Sequence, residues 1–109
     1  MTPAAAIAKA QDATVAALAA RHPGSATLTP QGGDAASVTC GVYRGALEWV
    51  DDDGVPRRDQ GVVLIARKSR FPATFTETSK NWSIDFAGQS FRLLSVTPYG
   101  ASWLVRGVR

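Results

Sequence analysis

Two regimes of hydrophobic pattern divide the chain: alanine-rich sequence with apolar residues at helical spacing up to Arg21, then short runs of alternating apolar and polar residues beyond Gly24. In the first, Ile7, Ala10, Val15 and Leu18 fall within about a quarter to a third of the helical circumference, with Lys9 and Asp12 facing away. Thr2 and Pro3 supply a cap and a first-turn proline, and His22-Pro23-Gly24 stops the helix. The pattern predicts one helix over 3–21. Its stripe is narrow and built mostly from methyl groups, so it must lean on another element or on a neighbouring subunit.

The second regime predicts a β domain over 25–108. A short strand is expected at Ala26–Thr29, followed by a turn at Gln31-Gly32-Gly33-Asp34. Val38, Cys40 and Val42 then alternate with Thr39, Gly41 and Tyr43, and Leu47 and Trp49 flank Glu48. Gly61–Ala66 is a continuous apolar run with β-branched residues, the mark of a strand covered on both faces. Trp82, Ile84 and Phe86, then Phe91, Leu93, Leu94 and Val96, then Trp103, Val105 and Val108 read as back-to-back strands. A turn centred on Pro98-Tyr99 would set Leu94 across from Trp103 and Val96 across from Ala101. Two stretches carry no apolar period and are expected to be mobile loops, near 51–60 and 69–81. The fold expected is therefore a single domain, 1–109, mainly β: a small antiparallel β-sandwich or barrel of six or seven strands with an N-terminal α-helix.

Composition narrows the functions open to it. With 109 residues, 45% hydrophobic, there is material for one core. The formal charge of +3 lies in the second half, where nine cations face six anions after three against three up to Val50. Those cations are interleaved with Asp59, Glu77 and Asp85 rather than gathered into the stripe that a duplex-gripping surface uses. The single cysteine, Cys40, sits in strand-like sequence and reads as a buried apolar side chain; one cysteine makes no internal disulfide, which points to a reducing compartment. The alanine-rich start lacks the basic front end of an export signal, and no apolar run before Arg21 is long enough to cross a bilayer.

Candidate chemistry is sparse. His22 is the only imidazole and has no evident orienting partner, no Gly-x-Ser-x-Gly elbow is present, and Gly32-Gly33 is not followed by the Lys and Ser or Thr of a phosphate cradle. Asp51-x-Asp53-Gly54 starts like a calcium loop but lacks the ligand spacing and the later bidentate carboxylate. No enzyme activity, metal or cofactor is therefore expected. Three tryptophans amid arginines raise a small β-barrel that stacks single-stranded nucleic acid, yet Trp82, Phe86, Phe91 and Trp103 share faces with aliphatic residues as core aromatics do, leaving Tyr43 and Tyr99 for stacking. The loop that holds Asp51, Asp52 and Asp53 is followed at once by Arg57 and Arg58, an opposite-sign pairing that suits an assembly contact.

The segment from Gly61 to Val108 resembles small head-tail joining proteins of tailed bacteriophages, of the head-closure or tail-attachment kind. The likeness is carried by its apolar strand, its proline- and threonine-containing loop, and the hairpin Trp82–Val96 with Gly88, Phe91, Leu93 and Val96. It implies a structural virion protein at the head-tail junction, made in the host cytoplasm and assembled as a homo-oligomeric ring. Such a ring sits between the portal or connector and the tail or tail terminator, and passes double-stranded DNA without reading its sequence. On that resemblance, Asp51, Asp52 and Asp53 are expected to face the DNA channel, with Arg57, Arg58, Arg67, Lys68 and Arg70 meeting neighbouring subunits or partners.

Overall fold

A computed structural model describes residues 2–109. The helix α1 spans Pro3–Arg21, and six strands follow: β1 (Pro23–Thr29), β2 (Ala36–Val50), β3 (Pro56–Arg67), β4 (Ser83–Phe86), β5 (Gln89–Tyr99) and β6 (Ser102–Val108). All neighbours are antiparallel, and the order β1-β2-β3-β6-β5-β4 closes into a barrel where Leu28 of β1 meets Ile84 of β4. The mainly β fold with an N-terminal helix is thus the one expected, in its barrel form.

Leu28, Val38, Val62, Leu64, Ile84 and Val105 fill the interior with less than 2% exposure each, joined by Cys40 and Phe91. Alternation along each strand supplies these residues, because an antiparallel barrel turns every second side chain inward. On β3 the inward set is Val62, Leu64 and Ala66, while Ile65 points out and is covered by α1, so the strand is covered on both faces at its Ile65 end, with outward Val63 only half-buried.

The structure corrects several local expectations. On α1 only Val15 is buried, while Ile7 is 60% and Leu18 38% exposed. The face turned to the barrel is made by Ala8, Asp12, Val15 and Ala19, small enough for the helix backbone to approach Gly41, where an added Cβ would lie 3.2 Å from Ala19 Cα. Asp12 therefore faces inward, not outward: its Oδ1 accepts the Ala101 N–H at 3.0 Å, which satisfies the carboxylate on a packed face.

Connections differ too. The 51–60 loop is shorter than expected, since residues 56–60 belong to β3 and pair with β2 as far as Pro56 against Val50. The β5–β6 turn lies at Gly100-Ala101, with Val96 opposite Val105 and Pro98 opposite Trp103. Leu94 is the cause: a register shift between Leu93 and Ser95 makes it an extra residue, so Leu93 and Val96 both pack against the core despite their odd spacing. The 69–81 segment crosses one end of the barrel and buries Phe71 and Phe75 there. Their rings stack at 5.0 Å, and Phe75 meets Trp82 edge-on at 5.1 Å, so this connection is a plug.

Candidate functional site

The longest paired element of the barrel is the β2–β3 hairpin. Pairing of β3 with β6 begins only at Gly61, whereas pairing with β2 continues to Pro56, and β1 leaves β2 at Gly41. The two strands thus run on as an arm, whose five residue pairs beyond Gly61 span about 17 Å.

The arm is anchored at its base and along one side. An added Cβ at Gly61 would lie 2.5 Å from Leu47 Cδ1 and 2.6 Å from Gly107 O, so only glycine lets Leu47 fold down against the barrel. Val108 is fully buried outside the main core. Farther out, Trp49 Nε1 donates to Asp59 Oδ2 at 2.9 Å, Arg92 stacks over the Trp49 ring at 5.0 Å, and Arg106 Nη2 donates to Glu48 O at 2.8 Å. These contacts draw the arm toward β5 and β6.

At the tip, Asp51 builds the turn. Its Oδ1 accepts the N–H groups of Asp53 at 3.0 Å and Val55 at 2.9 Å, and its Oδ2 pairs with Arg57 Nε at 2.9 Å. The backbone bond from Val55 first, and the Arg57 guanidinium second, hold the Asp51 carboxyl below its ordinary value. Gly54, at φ +78°, supplies the left-handed residue that the turn requires. Asp52 and Asp53 remain exposed, and Val50 and Val55 stand beside them at 65% and 46% exposure.

Of the expected site residues, the structure brings Asp51, Asp52, Asp53, Arg57 and Arg58 together on the arm, with Arg58 in register with Glu48. Arg67, Lys68 and Arg70 lie at the other end of β3, roughly 33 Å of strand away, so the cations do not form one surface. Lys68 Nζ sits 4.4 Å from the Trp103 ring. Arg67 and Arg70 instead border a cavity of about 190 Å³ beneath α1, together with Asp12 and Cys40. Burial raises the Cys40 thiol to about 11 against the lesser opposing influence of the Ala26 backbone and Arg70, which keeps it protonated and unreactive.

Sequence reasoning missed Val50, Val55, Asp59, Arg92 and Arg106. The signal for the first three was present in Asp52-Asp53-Gly54 as a three-residue hairpin loop with glycine last, which puts Asp59 opposite Leu47 and leaves both valines at the end. Nothing local marks Arg92 or Arg106, whose part depends on the arm's curvature.

Among the described residues no helix is long and apolar enough to cross a membrane, and no group of three or more His, Cys, Asp and Glu is placed to hold a metal ion. No protein-family model matches the chain, and no curated protein matches it.

Proposed function

We propose that this chain is a structural subunit of the head-tail junction of a tailed bacteriophage. It forms a ring between portal or connector and tail, with double-stranded DNA passing through and host cytoplasm as the place of synthesis. The observation that supports an assembling role is the arm: a fully paired hairpin drawn toward β5 and β6, whose tip exposes two valines beside Asp52 and Asp53. A chain gains nothing within itself from exposing large aliphatic groups at the tip of a hairpin, whereas a partner does. The likeness of Gly61–Val108 to joining proteins supplies the kind of assembly.

The same observation favours a contact role for the tip over the channel-facing one. Asp51 is committed to its turn, and exposed valines suit contact with protein better than a rim beside sliding phosphates. The tip is therefore a contact element, and Arg58 beside it is free to meet an acidic partner.

Deletion of the reading frame in its phage is the test. Filled heads without attached tails are the expected product, and a lysine-reactive cross-linker on intact virions should join Lys68 or Lys80 to portal or tail peptides. Undiminished infectivity would overturn the reading. Tight binding of a short single-stranded oligonucleotide that collapses with added salt would favour a β-barrel nucleic-acid binder instead.

A further inference from the structure

Where α1 leans on β1, β2 and β3, the chain leaves a cavity of about 190 Å³ that opens to solvent. Its walls are mostly apolar: Val15, Ala16 and Ala19 come from the helix, Pro23 and Ile65 from the barrel. Alanines let the helix backbone come close at Gly41, and the same small side chains fill little of the space beside that contact. A cavity of about 150 Å³ takes up a benzene ring, so this one has room for a body of about six carbon atoms.

The polar part of the lining is cationic on balance. Arg67 and Arg70 reach the cavity from exposed positions, Asp12 is the one carboxylate in the lining, and Cys40 stays a neutral thiol. Neither arginine is ion-paired, since among the described residues the only salt bridge joins Arg57 to Asp51. Asp12 has one oxygen bonded to the Ala101 N–H, and Lys68, the other cation nearby, lies over Trp103. The Arg70 charge is felt at the Cys40 thiol, as that of a guanidinium turned toward the cavity would be.

We propose that this cavity binds a small apolar carboxylate, its branched aliphatic or aromatic body between α1 and β3 and its carboxylate held at the mouth by Arg67 and Arg70. Charge selects the anion: two guanidiniums against one carboxylate leave one positive charge unanswered, and the planar fork of arginine matches carboxylate oxygens. The walls select the body, because a fully hydrated ion such as phosphate gains nothing from Val15 and Ile65 and would bring further negative charge toward Asp12. A free acid and the C-terminal residue of another chain share this chemistry. The site is independent of the assembling role, which rests on the arm.

The test titrates the full-length, isotope-labelled chain and follows its amide NMR signals. Benzoate is expected to bind saturably, with shifts centred on Val15, Ala16, Ile65 and Arg67. Benzyl alcohol keeps the ring without the charge, and acetate keeps the charge without the ring; each should bind about tenfold more weakly or worse. Arg67→Gln and Arg70→Gln should each weaken benzoate by about tenfold while leaving benzyl alcohol unchanged. Ala16→Phe, which fills the apolar space, should abolish both, and the arginine variants carry the test if it loses its fold. Acetyl-Ala-Phe as free acid and as amide identifies the source: a peptide acid bound more tightly than benzoate, with the amide silent, means a chain terminus, and the reverse order means a free acid. No saturable shifts with benzoate or the peptide acid, equal affinity for benzoate and benzyl alcohol, or arginine variants that bind like the parent would overturn the proposal. None of these results bears on heads and tails after gene deletion, so the site and the phage reading fail separately.

Discussion

Asp51 illustrates how a residue that looks like part of an acidic cluster comes to serve the backbone. Its neighbours Asp52 and Asp53 have the same chemistry, but only Asp51 stands where one carboxylate reaches two N–H groups and a guanidinium. Its pKa is lowered in the folded chain, so its stabilisation is complete above the ordinary carboxylate value of 3.8 and disappears as the pH falls below it. Urea titrations of parent and Asp51→Asn should show a parent advantage that is constant from neutral pH down to about pH 5 and closes toward about pH 3. A gap unchanged across that range would separate the turn from the charge. Spacing alone distinguishes none of this, because three consecutive aspartates before a glycine give the same reading whichever one folds inward.

At the scale of elements, what the sequence disclosed depended on whether an element had a period. Gly61–Ala66 was legible as a doubly covered strand because both faces demand apolar residues, and α1 was legible because its cap, proline and stop are local signals. The inward face of α1 was not. Packing there is set by closeness to Gly41, which meets Ala19, and to Gly100, which meets Ala8, and these approaches favour alanine over the larger Ile7 and Leu18. In β5, three aliphatic residues at 93, 94 and 96 fit two registers equally well, and only pairing with β6 makes Leu94 the extra one. The plug is the extreme case, since Phe71 and Phe75 follow no period at all and are fixed by the end of the barrel that they close. Replacing Phe75 with alanine removes a ring that touches both Phe71 and Trp82, and should cost about 3–5 kcal/mol in chemical denaturation. A loss below about 1 kcal/mol would return 69–81 to the status of an ordinary loop.

For the molecule as a whole, the barrel is the unit of stability and the helix an attachment. Six strands close on one another, while α1 contributes a single buried side chain and one carboxylate bond to the β5–β6 turn. A chain beginning at His22 should therefore keep its β circular dichroism and unfold cooperatively, with stability lower by roughly 3–6 kcal/mol, the scale of one buried valine and one charged hydrogen bond, with the uncovering of Ile65 placing it toward the upper end. Loss of the β signal would show that the helix is integral. The candidate site was legible to the same degree as the hairpin that bears it: its acidic and basic residues stood out in composition, but their division between the arm and the far end of β3 is a property of strand length.

Closure leaves the barrel itself with no free margin, yet the arm reintroduces two. Past Gly61 and Gly41 the outer borders of β3 and β2 have no paired strand, although Arg109 N–H donates to Gln60 O, Val42 N–H to His22 O and Arg106 Nη2 to Glu48 O, and such borders invite a foreign strand to zip alongside. Pro56 removes one donor at the very end, and Arg57 and Arg58 place like charges where a second arm would have to lie in register. With Arg57 paired to Asp51, Arg58 is the charge that most disfavours edge-to-edge stacking of two arms.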